Sequence, residues 1–315
     1  MPDLPDRRSG EAQAAAAVLM VRPEHFASNP ETLETNRFQA AAAPSAAATD
    51  AARREHDGLA VRLAAAGVRV HAFRGWRAEP LPDEVFPNNW VSLHADGTVV
   101  LYPMLAPSRR RERRRELLEA LAERYRVTRV VDLTALEERG EHLEGTGSLV
   151  LDRPRRVAYA ALSPRTTPGA LAAFAAEMGY EVVAFRAADR AGVPIYHTNV
   201  LMALGTRFAV VCSAAIPDAT ERQTVVEGLQ ASGRIVVDLS FAQLESFAGN
   251  LLELRGRAGP VIALSARALA SLAPGQRTTL AAHGRLVAAD IATIERLGGG
   301  SVRCTLAEIH LPDAP

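Results

Sequence analysis

The chain uses very little cysteine. Its 315 residues contain only Cys212 and Cys304, which excludes a disulfide framework and a cysteine-based zinc site. Such sparing use fits a reducing, cytoplasmic setting. Net charge is also missing. Thirty-six basic residues balance thirty-six acidic ones, so nothing in the overall charge favours nucleic acid or an acidic membrane surface. No apolar run approaches the length of a membrane span. Residues 1–16 carry Arg7 and Arg8 ahead of an alanine-rich stretch but lack the apolar core of a signal peptide, and read as a short flexible tail. His94, His142 and His310 show no metal-binding spacing, and Gly145-x-Gly147 lacks the rest of a dinucleotide or phosphate-loop signature. No metal or cofactor is therefore expected.

What the chain does have is apolar residues, 48% of the total, in a repeated pattern. Val18–Pro23 reads as a buried strand, Thr49-Asp50 as the cap of an alanine-rich helix ending at Gly67, and Val68–Phe73 as an alternating strand. The pattern then restarts as hairpin, helix and strand. The hairpin over Trp90–His94 and Val99–Pro103 turns at Asp96-Gly97, a strong turn signal. Further hairpins read at 148–162, 200–212 and 251–264. The strands that close the units begin near positions 68, 127, 181, 234 and 285, at steps of 59, 54, 53 and 51 residues. A period of this size means one supersecondary unit repeated about a common core. The first unit lacks its opening strand, whereas the chain ends on a spare one, Cys304–Leu311. Pairing the two would close a ring and remove two exposed edges. The expected fold is α/β, a five-fold αβ-propeller forming one domain over residues 17–315.

The residues just ahead of each hairpin are Asn88-Asn89, Glu144-Gly145-Thr146-Gly147, His197-Thr198-Asn199, Gly249-Asn250 and Arg303-Cys304. Equivalent points of five modules should converge at the ring axis. A thiol, an imidazole, a carboxylate and several amides would then share one pocket, the inventory for nucleophilic chemistry at an sp² carbon. Cys212 ends an apolar strand and reads as packed core. The run Arg109–Arg115 reads as the solvated face of a helix.

Four short stretches in register, Phe86-Pro87-Asn88-Asn89-Trp90, Glu144-Gly145-Thr146-Gly147-Ser148, Tyr196-His197-Thr198-Asn199 and Arg303-Cys304, resemble the guanidine-modifying superfamily of arginine deiminases, dimethylarginine dimethylaminohydrolases and amidinotransferases. The resemblance is greatest to its citrulline-utilisation hydrolase branch, the citrulline ureidases. It covers about residues 17–312 and implies a five-bladed propeller in which Cys304 is the nucleophile, His197 the proton shuttle and Glu144 the orienting acid. Relatives acting on guanidinium usually carry Asp where this chain has Asn89 and Asn199. Asp pairs with a planar cation, whereas Asn is neutral and offers both donors and an acceptor. These changes favour a neutral ureido group.

The expected function is hydrolysis of a ureido or guanidino amino acid, citrulline foremost, through a covalent Cys304 intermediate, releasing ornithine, ammonia and carbon dioxide. Asn89 or Asn250 would stabilise the oxyanion, and Arg22 and Arg165 are candidate partners for the substrate carboxylate. The runner-up activities are arginine deiminase, dimethylarginine hydrolase and amidinotransferase. A non-catalytic propeller serving as a binding protein is the alternative of a different class. The expected partner is a small amino acid, with no nucleic acid or membrane, and self-association is left open.

Overall fold

The computed structural model describes residues 10–315. Fifteen strands alternate with helices: β1 (Ala17–Arg22), β2 (Arg69–Arg74), β3 (Val91–Leu93), β4 (Thr98–Leu101), β5 (Arg129–Asp132), β6 (Val150–Asp152), β7 (Val157–Leu162), β8 (Glu181–Arg186), β9 (Met202–Leu204), β10 (Phe208–Val211), β11 (Ile235–Asp238), β12 (Leu252–Gly256), β13 (Gly259–Ser265), β14 (Arg285–Ala289) and β15 (Ala307–Ile309). They form one six-stranded sheet, β2-β1-β15-β3-β4-β5, and three sheets of three strands.

The same pairing recurs throughout. An antiparallel hairpin is followed by a strand parallel to its second arm, as in β3-β4-β5, β6-β7-β8, β9-β10-β11 and β12-β13-β14. The ends of the chain supply the fifth group. β15 runs antiparallel to β1, with Val18 opposite Glu308, and β1 runs parallel to β2. The chain's last strand thus takes the place of the first unit's missing hairpin arm, as expected. The fold is mixed α/β.

Each parallel connection is made by a helix whose apolar face covers its sheet. Helix Ala46–Ala65 buries Ala52, His56, Leu59 and Leu63. Helix Pro168–Met178 begins at a proline, whose fixed φ suits a first turn, and buries Ala170, Leu171, Phe174 and Met178. The inner strands are buried on both faces: Val18, Leu19, Met20, Phe208, Ala209 and Val210 are all fully buried, as is Cys212 just past the strand. Cys212 is indeed packed core, and burial pushes its thiol up to about 11.

Three local expectations are corrected. Ser45, not Thr49, caps the first long helix, because Thr49 Oγ1 bonds to the backbone of Phe26. Cys304 lies in a 3₁₀ turn, Val302–Thr305, and the terminal strand starts only at Ala307. The expected tail over residues 1–16 divides. Residues 1–9 lie outside the described residues, but residues 11–16 are built in. Gln13 bonds to the carbonyls of Leu151 and Leu204 at 2.9 and 3.3 Å and accepts from Arg153 N. Ala15 bridges to Leu254. A polar segment is held there because it satisfies buried backbone groups that no strand reaches.

Candidate active site

The residues ahead of the hairpins form single tight turns: Pro87–Asn89, Gly145–Ser148, Thr198–Leu201 and Val302–Thr305. The turn at Gly145–Ser148 packs against both Pro87–Asn89 and Thr198–Leu201, and Pro87–Asn89 packs against Val302–Thr305. Asn250 Nδ2 donates to the carbonyl of Asn199 at 2.9 Å and to Cys304 Sγ at 3.2 Å, joining the remaining unit to its neighbours on both sides.

Two glycines permit this approach. Gly145 adopts φ +48°, and a Cβ on it would strike the Asn88 carbonyl. A Cβ on Gly147 would collide with Asn89 Nδ2 and His197 Nδ1. Glycine is needed at both positions, at the first for backbone conformation and at both for space.

Cys304, His197, Asn89 and Arg165 line one cavity, together with Thr32, Asn36, Asp83, Phe86, Arg109, Tyr196, Gly298 and Gly300. The cavity holds about 10 Å³, room for about one water, so an amino acid enters only if a wall moves. The wall closest to the chain's beginning is the segment around Thr32–Asn36. It is held by Asn36 Nδ2 on the Gly299 carbonyl at 3.3 Å and by Arg165 Nη2 on the Thr32 carbonyl at 3.1 Å.

The Cys304 thiol is 3% exposed. It accepts from Asn250 and faces Asn199 Oδ1 at 3.7 Å. Burial pushes its pKa up, against the opposing pull of the Asn250 hydrogen bond, so the resting thiol is protonated at neutral pH. His197 Nε2 lies 2.8 Å from Glu144 Oε2. Burial lowers the imidazole to about 4 despite that carboxylate. The neutral ring donates through Nε2–H to an ionised Glu144, leaving Nδ1 as the free base.

Glu144 is fully buried, and burial alone would raise its pKa. Arg165 at 3.5 Å, His197 and Arg109 at 3.6 Å overcome that and hold it below the usual carboxylate range. Arg165 also stacks over Tyr196, 4.9 Å from the ring centroid.

Of the expected site residues, Cys304, His197, Asn89 and Arg165 line the cavity, whereas Glu144, Asn88, Asn199, Asn250 and Arg22 do not. Arg22 pairs with Asp57 at 2.9 and 3.0 Å and remains one-third exposed; an adjacent carboxylate on the helix has captured it. Asn88 is buried against Thr146, with its Nδ2 3.4 Å from Thr146 Oγ1, and braces the turn. Asn199 and Asn250 contact the thiol, outside the residues that line the cavity.

The sequence reading missed Arg109 and Asp83. Arg109 belongs to the arginine run read as solvated, yet it is 2% exposed and bonded to Glu112, Asn89 and the Phe86 carbonyl. The expected single helix is broken into Pro107–Arg110 and Arg115–Ala122, and this turns Arg109 inward. Glu112, three residues on, was the available signal. Asp83 is buried, with Oδ2 accepting from Asn29 at 2.8 Å and Oδ1 without a partner.

Residues 22–311 match the family described as N,N dimethylarginine dimethylhydrolase, eukaryotic. The chain belongs to that family, within the pentein (amidinotransferase) superfamily. Among solved pentein structures it is similar to apo ArgZ, an arginine dihydrolase from the ornithine-ammonia cycle in cyanobacteria. The TM-score is 0.70 and identity 19%, with 95% of this chain and 41% of that one covered. AgrE in a binary complex of a cysteine variant with L-arginine gives 0.71 and 18%, covering 94% and 40%. A dimethylarginine dimethylaminohydrolase variant carrying an S-methyl-L-thiocitrulline adduct gives 0.64 and 15%, covering 93% and 99%. The chain therefore spans about two-fifths of ArgZ and AgrE, but nearly all (98%) of the separate N-terminal domain of ArgZ. Comparison with the curated proteins gives no match. The pentein relatives are hydrolases acting on guanidino C–N bonds. Among the described residues no helix is long and apolar enough to cross a membrane.

Proposed function

We propose that the protein is a cysteine hydrolase of a free amino acid bearing a ureido or guanidino group, citrulline first, with ornithine, ammonia and carbon dioxide as products. The single observation that carries this reading is that a buried thiol and a neutral imidazole line one cavity, the imidazole being bonded to the ionised carboxylate of Glu144. A binding scaffold has no need to bury three such groups together.

In this reading Cys304 Sγ adds to the ureido carbon as its proton passes to His197. Glu144 stabilises the imidazolium that forms. The amine then leaves with a proton from His197, and the imidazole next activates water against the S-carbamoyl intermediate. Asn250 Nδ2, already 3.2 Å from the sulfur, steadies the thiolate. The cavity wall also carries groups of both signs. Arg165 with Arg109 suits an α-carboxylate, and the unpartnered Asp83 Oδ1 suits an α-ammonium. The five strand groups are read as a closed five-fold propeller forming one catalytic domain over residues 17–315. The pairing of β1 with β15 and the mutual packing of the inner turns support that reading.

Arginine is the second reading. ArgZ is described as an arginine dihydrolase, and Glu144, held ionised, offers one anionic partner to a guanidinium. The test is product analysis after incubation with citrulline and, separately, with arginine. Ornithine and ammonia from citrulline support the first reading. Citrulline accumulating from arginine supports a deiminase. No product from either removes the proposal.

A further inference from the structure

A cleft of about 650 Å³ shares no lining residue with the closed cavity of Cys304. Its size is that of a small-molecule site. Much of its wall is hydrocarbon: Pro30, Pro44, Pro80 and Pro82 line it with Phe26 and Ala27. Proline rings and a methyl group hold their shape, because they have almost no side-chain freedom to lose when something packs on them.

The charged groups of the cleft lean to one sign. Glu24, Glu31 and Asp50 line it against a single guanidinium, Arg53. Arg53 is spent within the protein. Its Nε donates to the Pro23 carbonyl at 2.9 Å, Nη2 to the Glu24 carbonyl and carboxylate at 2.9 and 2.6 Å, and Nη1 to Asp50 at 3.4 Å. His25, also in the wall, turns Nε2 to the Arg77 carbonyl at 3.1 Å. Among the described residues Glu31 has no cationic partner; its Oε2 accepts from the Ser108 backbone N–H at 2.8 Å. Ser28 supplies an independent observation. It lines the same cleft, is 6% exposed, and its Oγ hydrogen-bonds to nothing. A buried hydroxyl left without a partner is uncommon and costly.

We propose that this cleft is a second ligand site, for a small organic amine with an apolar body. The hydrocarbon wall takes the body. The ammonium has three donors and no acceptor, so it suits carboxylate oxygens and gives the Ser28 hydroxyl a partner. An anion would meet the surplus carboxylates, and an uncharged molecule would leave them unpaired. Asn29 stands between the two sites, with its Nδ2 donating to Asp83 Oδ2 of the cavity wall at 2.8 Å and to Ser108 Oγ of the cleft at 3.1 Å. The site is therefore separate from the thiol, and the inference does not depend on the reaction assigned to it.

The experiment is calorimetric titration of the full chain with 2-phenylethylamine and, separately, with its uncharged analogue 2-phenylethanol. The amine should bind at a single site, about tenfold or more tighter than the alcohol, the effect of a hydrogen-bonded charge. Glu31→Gln keeps an acceptor for Ser108 but drops the charge, and should weaken the amine about threefold to fivefold, the scale of an exposed charge pair, leaving the alcohol unchanged. Ala46→Trp places an indole at an exposed position of the cleft wall and should abolish binding of both. No binding of the amine at millimolar concentration, or equal affinity for amine and alcohol, overturns the proposal. Amine binding that neither folded variant weakens overturns it as well, since the amine then sits elsewhere. If circular dichroism shows that Ala46→Trp does not fold, Glu31→Gln decides alone.

Discussion

Consecutive residues of one turn, Cys304 and Arg303, face two different buried polar regions. Cys304 lines the proposed active cavity. Arg303 lines a separate space of about 20 Å³ with Gln13, Arg153 and Glu308. In this second region the charges are matched. Arg303 pairs with Glu308 at 2.7 Å, Arg153 with Glu11 at 2.8 Å, and His310 with Glu308 at 3.3 Å. Burial raises the Glu308 carboxyl, but Arg303 and Arg153 more than reverse it. None of these side chains is left with an unbonded buried atom, whereas Asp83 Oδ1 and Asn89 Nδ2 are unbonded in the cavity wall. Both regions bury charge. The difference is that the protein itself satisfies the region around Arg303 and leaves two polar side-chain atoms unbonded in the wall of the Cys304 cavity. Satisfied charge holds a fold together, and unsatisfied polarity marks a place for a ligand.

This contrast can be broken by substitution. Cys304→Ala should lower kcat by about 10⁴-fold or more, the scale on which covalent catalysis collapses, while leaving the melting transition almost unmoved. A fall of less than about 100-fold in that variant would remove the nucleophile assignment. Glu308→Gln should instead act on stability. It takes the ion-pair partner from the buried Arg303 guanidinium, while Arg153 keeps Glu11, at a cost of roughly 3–5 kcal/mol, read by urea unfolding. Folded Glu308→Gln protein should keep the wild-type ratio of citrulline to arginine turnover.

Acid should attack both regions at once. His197, lowered to about 4, and the buried His94 and His310, also lowered, bind protons more readily in the unfolded chain. The imidazole contribution to stability is therefore full above pH 6.5 and is lost as pH falls toward 4, while the buried Glu112 carboxyl, pushed up to about 8, acts in the opposite sense. His197 alone contributes on the order of 3 kcal/mol to that loss. Equal pH slopes of unfolding free energy for the wild type and His197→Gln across that window would show this imidazole to be hydrated.

A milder test separates the two regions in the opposite sense. Asp83→Asn replaces a buried carboxyl whose pKa burial pushes up and one of whose oxygens the fold leaves unbonded. Stability should hold or rise slightly, while KM for the amino acid rises by about 10- to 100-fold, the worth of a charged hydrogen bond. The smallest effect is expected at Cys212→Ala. It trims a packed sulfur, costs about 1–2 kcal/mol, and leaves kcat intact. Loss of activity there would mean that the wrong cysteine has been placed at the site.

The repeat was readable because strands must be apolar to pack on both faces. Closing strands expected near 68, 127, 181, 234 and 285 begin at Arg69, Arg129, Glu181, Ile235 and Arg285. The placement of Cys304, His197 and Glu144 at the inner turns was readable because they occupy equivalent positions of that repeat. Arg109 was not, since in a row of arginines only the broken helix decides which one turns inward. Nor was the fate of Arg22, whose partner Asp57 lies 35 residues away. The role of Glu11 and Gln13 was hidden for the same reason, as their partners come from other units of the fold.

The sequence by itself thus determined the period, the α/β class and the chemical types brought toward the centre, because these depend on local apolar patterning and on spacing along the chain. Only the tertiary structure decided which polar atoms are satisfied and which are left facing the cavity. Hydrogen bonds are made across space between side chains far apart in sequence, and in a buried site one such partner, as Arg109 is for Asn89, sets which way a neutral group points.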